Sequence, residues 1–300
     1  MNKDFAIVSA LFNIEREGMD GRAWQDYLDW FERTLKLRVP MILFVTEDLE
    51  DFIKDRRGDL PTEIIIQTTD DIPYYYLKDQ LDKIIASEQY RERIADPGRI
   101  ECRHSMYSII QYSKFKWLTA AADSNPFDSK WFFWLDAGGS RFFDDYDVTL
   151  DYPSPNAMES FEAMGDQFLV QMNMEYYPDL ADADEIPKSY LLNNRSYVLG
   201  SMFGGGINSL KKVANDVEDI LVNEMIANDY VNNEQIALGY LIKENPDDYA
   251  IYGPNNAPGL YLYNGKRNIS ENLIESYPLM GLLVRLNIYH DSNDKYEEYL

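Results

Sequence analysis

The 300-residue sequence holds a single cysteine, Cys102, and only two histidines, His104 and His290. One cysteine cannot form an intrachain disulfide, which fits a reducing compartment. Two histidines exclude a His-rich metal centre. Basic residues are also scarce: 28 Lys and Arg stand against 52 Asp and Glu, a formal net charge of −24. Nucleic-acid surfaces need clustered Lys and Arg, and anionic lipid is bound by polybasic patches, so neither is expected as a charge-driven partner. No stretch approaches about 18 consecutive apolar residues, so no transmembrane helix is expected. The first apolar run, Phe5 to Phe12, is short and lacks a long apolar core and a small-residue cleavage site. It reads as a strand rather than a signal peptide. A soluble, cytoplasmic protein is the expectation; oligomeric state is not legible.

Two nucleotide-binding signatures are missing as well. A dinucleotide fingerprint needs Gly-x-Gly-x-x-Gly directly after the first strand. Here that strand runs into Asn13-Ile14-Glu15-Arg16, with no glycine before Gly18. A P-loop is absent, since Gly204-Gly205-Gly206 lacks the Lys-Ser/Thr that cradles phosphate. Cys102 and His104 are two positions apart and would point to different faces of a helix, which argues against a nucleophilic pair.

What is present is a core. Hydrophobic residues make up 45%, and 23 Tyr, 14 Phe and 5 Trp are too many aromatics for a disordered chain. Short apolar runs at 6–12, 41–45, 63–68, 130–136, 168–173, 197–203 and 249–252 alternate with segments of helical periodicity. That alternation predicts an α/β fold, with a mostly parallel central sheet flanked by helices. No Ser- or Gly-rich linker divides the chain, so one domain is expected. The acidic run 179–185 reads as a solvated loop.

The most informative block is Trp131-Phe132-Phe133-Trp134-Leu135-Asp136-Ala137-Gly138-Gly139-Ser140-Arg141. A very apolar strand ends in one carboxylate followed by glycines. Ligands of open α/β sheets bind at the carboxyl ends of strands. Asp136 is therefore placed to hold Mg²⁺ or Mn²⁺ through oxygen. Gly138 and Gly139 allow close backbone approach, Ala137 and Gly138 are candidate cofactor-binding positions, and Arg141 can meet a phosphate bidentately. The alternative is an Asp that only caps a turn.

Lys114 falls in the middle of an apolar helical stripe that includes Tyr107, Ile110, Trp117, Leu118 and Ala121. Two readings stand: snorkelling to solvent, or a cation reaching an anionic ligand at the strand ends. Gly204, Gly205 and Gly206 read as a bare strand-to-helix turn against which a sugar ring can lie, or as a turn needing glycine for its backbone. Glu234 and Gln235 open a helix after Asn232-Asn233; Glu234 is either a helix-dipole partner or part of a substrate pocket.

The blocks Lys114-x-x-Trp117-Leu118, Asn125-Pro126-Phe127-Asp128-Ser129 and Phe133-Trp134-Leu135-Asp136-Ala137-Gly138 resemble the HtrL/YibB family of bacterial proteins. The opening Ala6-Ile7-Val8-Ser9-Ala10-Leu11-Phe12-Asn13-Ile14 resembles that family's first strand. The resemblance covers most of residues 5–290 and is strongest over 114–142. It implies a GT-A-like (Rossmann-like) glycosyltransferase. A nucleotide-sugar-binding half would span about 1–142 and an acceptor-binding half about 143–300. It further implies a nucleotide-diphosphate sugar donor such as a UDP-sugar, a glycan or glycolipid acceptor, and a divalent cation. Asp136 matches the first Asp of the Asp-x-Asp that holds that cation, while Gly138 stands at the second position. His290 would be a late metal ligand. Ser9, Ala10 and Asn13 would meet base and ribose. Glu234 would serve as general base or orient the donor. A non-catalytic carbohydrate- or nucleotide-binding protein and a nucleotidyltransferase are the alternatives; the second usually carries a Gly-rich, basic loop after strand one.

Overall fold

A computed structural model describes residues 3–142, 152–153, 155–172, 186–252, 261–263 and 266–268. At 141–142, 155–157, 159–160, 172, 252, 261–263 and 266–268 only the backbone is described. In chain order the elements are β1 (Phe5–Leu11), α1 (Glu17–Asp20), α2 (Trp24–Leu35), β2 (Met41–Val45), α3 (Glu50–Arg57), β3 (Thr62–Ile66), α4 (Lys78–Ala86) and α5 (Glu88–Arg93). Then come α6 (Ser105–Ser124), β4 (Trp131–Leu135), α7 (Pro155–Met164), β5 (Phe168–Met172), β6 (Val198–Gly206), α8 (Ile207–Asp219), α9 (Glu234–Glu244) and β7 (Tyr249–Tyr252). The last elements, β8 (Tyr261–Tyr263) and β9 (Lys266–Asn268), pair as an antiparallel ribbon.

Seven strands form one sheet in the order β3-β2-β1-β4-β6-β5-β7. Only β6 runs against its neighbours. The expected single α/β, mostly parallel sheet is what the chain forms. Strands β1, β2 and β4 are buried along their whole length, which explains their unbroken apolar runs. Side chains alternate between faces. Ala6, Val8, Ile42, Phe44, Phe132 and Trp134 join the core under α6 and α8, with Tyr112, Phe115 and Trp117. Phe5, Ile7, Met41, Leu43, Phe133 and Leu135 join the opposite core with Phe31, Leu35, Ile53 and Phe161. Stacked rings run through both layers: Phe12–Trp117–Trp134 in the first, Phe5–Phe133–Phe161 in the second.

Two local devices align the strands. Asn125 ends α6 in a left-handed conformation, and its amide both accepts from Ser129 N and donates to Ser129 O. The Asn-Pro-Phe-Asp-Ser block is thus a side-chain-closed loop that delivers the chain into β4. Arg57, at the end of α3, is buried and among the described residues has no carboxylate partner. Its five N–H groups donate to Thr62 Oγ1 and to the carbonyls of Leu35, Leu37, Val39 and Pro61. Burial pulls its pKa down to about 10, which leaves it charged at neutral pH.

The glycine run departs from expectation. Gly204, Gly205 and Gly206 belong to β6, opposite Phe133, Phe132 and Trp131. The helix does start at Ile207, but the glycines lie at the amino end of β4, the far end from Asp136. They are not a sugar platform beside that carboxylate. A Cβ at Gly204 would sit 2.2 Å from Phe132 O, so the glycine admits the close approach of two backbones.

Candidate functional site

At the carboxyl ends of β1 and β4 the chain opens a solvent-accessible cleft. Ala10 and Asn13 line it from the end of β1, and Asp136, Ala137 and Gly138 from the end of β4. Tyr107, Gln111 and Lys114 line it from α6, one helical turn apart. The α6 stripe therefore divides: its first turns face the cleft, while Trp117, Leu118 and Ala121 pack in the core.

Lys114 resolves into neither of its two readings. Its side chain is 2% exposed, which excludes snorkelling. Three oxygens surround the ammonium: Asp136 Oδ1 and Glu234 Oε1 at 2.9 Å each, and Gly200 O at 3.0 Å. An ammonium has three protons, so this one is saturated. Burial alone would pull the Lys114 pKa down; Asp136 and then Glu234 outweigh it and hold it above the usual lysine value. The triad carries one positive and two negative charges. Glu234, 2% exposed, has its pKa pushed up by burial, against the opposing pull of Lys114. Its carboxylate does not line the cleft. A general base must come within about 3 Å of the proton it takes. Glu234 instead holds Lys114 from behind. Gln235 is turned to Asn233, whose Nδ2 donates to Gln235 Oε1 at 3.3 Å.

Asp136 is the exposed member of the triad, with its side chain 31% exposed, and it lines the cleft beside the buried Lys114. Its backbone N–H donates to Ser201 O on β6, and Trp134 Nε1 donates to Oδ1 at 2.7 Å. Lys114 lies on the same oxygen. Oδ1 is thus locked, and among the described residues Oδ2 has no partner. No group of three or more His, Cys, Asp or Glu among the described residues is placed to hold a metal ion. Mg²⁺ commonly takes one or two carboxylates together with substrate phosphates, and Oδ2 fits the protein's share of such a site. His290 and the Arg141 side chain lie outside the described residues; the Arg141 backbone belongs to the turn Ala137–Phe142. Ser9, expected near a ribose, is buried and donates to Leu135 O at 2.7 Å, so it couples β1 to the end of β4.

Sequence reasoning missed three parts of this site. Arg16 and Arg22 follow β1 and line the cleft with Tyr27. Arg16 lies over the ring of Tyr107, 4.6 Å from its centroid, and donates through Nη1 to Tyr27 OH at 2.7 Å. Burial, and next the charge of Glu234, push the Tyr107 phenol up to about 12, so it is a neutral plate at physiological pH. Gly200 was missed too. A Cβ there would lie 2.2 Å from Glu234 Oε1. The signals available were a pair of arginines in the loop after strand one, and a tyrosine seven residues before Lys114.

No helix among the described residues is long and apolar enough to cross a membrane. No curated protein matches the chain. Among the solved structures similar to it, two are at low identity. One is mouse xyloside xylosyltransferase 1 in its apo form, with 11% identity, 83% of this chain and 85% of that chain covered, and a TM-score of 0.42. The other is 4-diphosphocytidyl-2C-methyl-D-erythritol synthase from Anaerococcus prevotii DSM 20548, with 10% identity, 93% and 100% covered, and a TM-score of 0.33. The family described as "Bacterial protein of unknown function (HtrL_YibB)" matches residues 3–255, and the chain belongs to that family.

Proposed function

We propose that this protein transfers a sugar from a nucleoside-diphosphate sugar, of the UDP-sugar class, to a hydroxyl of a glycan or glycolipid acceptor. The observation that carries the reading is Asp136. It lines the cleft at the carboxyl end of a central strand, with one oxygen locked by Lys114 and Trp134 and the other without a partner among the described residues.

The physical difficulty in this reaction is departure of the nucleoside diphosphate. A divalent cation bound at Asp136 Oδ2 would supply positive charge to that leaving group. The chain's own residues orient it. Trp134 and Lys114 fix the carboxylate before ligand arrives, and Glu234 keeps Lys114 in place. Ala10 and Asn13 line the space for base and ribose. Ala137 and Gly138 bring backbone rather than bulky side chains to the phosphate region. Such preorganisation avoids a reorganisation cost at the moment of reaction.

The test is release of nucleoside diphosphate from a panel of nucleotide-sugars with Mn²⁺. Turnover by the wild-type protein, lowered about 100-fold or more in Asp136→Asn, is expected. Unchanged turnover in Asp136→Asn overturns the role of that carboxylate. Release of pyrophosphate instead identifies a nucleotidyltransferase, and binding without any product identifies a non-catalytic binding protein.

A further inference from the structure

An anionic donor must enter a chain of net charge −24, and the Lys114 ammonium is already saturated by two carboxylates and a carbonyl. Among the described residues, the other cationic side chains lining the cleft are Arg16 and Arg22. Arg16 is built as a fixed plate. Its side chain is 10% exposed, its guanidinium rests against Tyr107 and Tyr27, and Nη1 is spent on the Tyr27 hydroxyl. Nη2 meets Asp20 Oδ2. Nε is buried and has no hydrogen-bond partner among the described residues.

That last fact is the informative one. Nε and Nη2 form one edge of the guanidinium, and their two parallel N–H groups match a carboxylate or phosphate bidentately. Asp20 engages only half of this edge. Leaving a buried charged donor unsatisfied is costly, so the edge is incomplete as it stands. Asp20 also lies 3.9 Å from Arg22 Nε, so one exposed carboxylate holds both arginines of the cleft mouth.

We infer that the Nε/Nη2 edge of Arg16 is a phosphate-binding site for the diphosphate of the donor, and that Asp20 is a placeholder which the phosphate displaces. This rests on the nucleotide reading of the cleft. A tetrahedral phosphate offers two oxygens to the edge that Asp20 half fills. The displaced carboxylate swings to solvent on the single-turn helix α1. Tyr27 and Tyr107 hold the guanidinium in place while this happens.

Calorimetry with UDP, GDP, CDP, ADP, uridine and pyrophosphate tests the assignment on the full chain. Arg16→Gln is expected to weaken the bound nucleoside diphosphate about 30-fold and Arg16→Lys about tenfold, since lysine keeps the charge and loses the fork. The nucleoside without phosphate should bind both variants as it binds wild type. Asp20→Asn is expected to tighten nucleoside diphosphate about three- to tenfold, while Glu17→Gln, which removes the same charge one turn away, changes it less than twofold. Weaker or unchanged binding in Asp20→Asn, or equal losses for nucleotide and nucleoside in Arg16→Gln, overturns the assignment. If wild type binds no nucleoside diphosphate, the nucleotide reading fails. Pyrophosphate then decides the rest: saturable binding lost in Arg16→Gln keeps the phosphate site, and no binding removes it.

Discussion

Replacing Gly200 by alanine adds one methyl group at the point where β6 passes the buried triad. The added Cβ would lie 2.2 Å from Glu234 Oε1, 3.2 Å from Glu234 Cδ and 3.0 Å from Gln235 Cγ. Real Cβ contacts essentially never fall below 3.0 Å, so the Glu234 carboxylate must move by about 0.8 Å or more. It is held 2.9 Å from Lys114, and that shift opens the ion pair. Losing one partner of a buried pair costs about 3–5 kcal/mol. Lys114 keeps Asp136 and the Gly200 carbonyl, so about 2–3 kcal/mol is expected here. Gly200 has no positive φ, so backbone strain adds nothing. The stiffer unfolded chain returns about 0.4–1 kcal/mol. Urea unfolding should show a lower midpoint with an unchanged slope. The decisive measurement is a double-mutant cycle with Glu234→Ala. With the carboxylate gone, Gly200→Ala meets only the flexible Gln235 side chain and should be neutral, or stabilising by up to about 1 kcal/mol. An equal cost in both backgrounds, within about 0.5 kcal/mol, would refute the steric link between Gly200 and the triad.

The remaining predictions follow from buried charge. Arg57→Met takes the guanidinium from four carbonyls, of which Leu37 O and Pro61 O keep a backbone donor, and should destabilise the fold by about 2–3 kcal/mol in urea, with nucleotide binding unchanged in the folded fraction. The Lys114 pKa is raised in the folded state, so its contribution to stability is complete below 10.5 and is lost as pH rises through the folded value. Asp136→Asn removes the stronger of the two attractions that raise it, and should shrink that alkaline loss in urea midpoints followed from about pH 9 to about pH 12. Glu234 is also raised, by burial, so the folded chain binds its proton more readily than the unfolded one. Wild type should therefore gain stability relative to Glu234→Gln as pH falls toward 4.5, and a loss over that window would contradict the assignment.

Much of the frame was legible because unbroken apolar runs such as Met41–Val45 and Trp131–Leu135 arise where strands are covered on both faces. Asp136 was legible for the same reason: a carboxylate closing such a run must stand at the carboxyl end of a central strand. Lys114 announced itself as a charge on an apolar stripe, but its partners could not be read, because Gly200 and Glu234 lie 86 and 120 residues away. Gly204–Gly206 misled because three glycines carry the same local signal in a turn and in a strand pressed against its neighbour. Only the register with Phe132 and Phe133 separates the two. Arg16 was passed over because a short polar loop shows no periodicity, and its worth comes from two tyrosines on α2 and α6. Arg57 was not legible at all, since carbonyl acceptors leave no trace in a sequence.

The place of β6 in the sheet has a consequence for synthesis. It fills the position beside β4, yet the ribosome makes it after β5. From the completion of β4 at Leu135 until Gly206 is made, roughly seventy residues must be added, which takes on the order of 4–14 s at 5–20 residues per second. Through that interval Trp131-Phe132-Phe133-Trp134-Leu135, the most apolar strand, has β1 on one side and an unpaired edge on the other. An open, flat, aromatic edge is a template for pairing with other chains. Pairing with β6 closes that edge, so in the finished sheet β4 is shielded by a strand made about seventy residues after it.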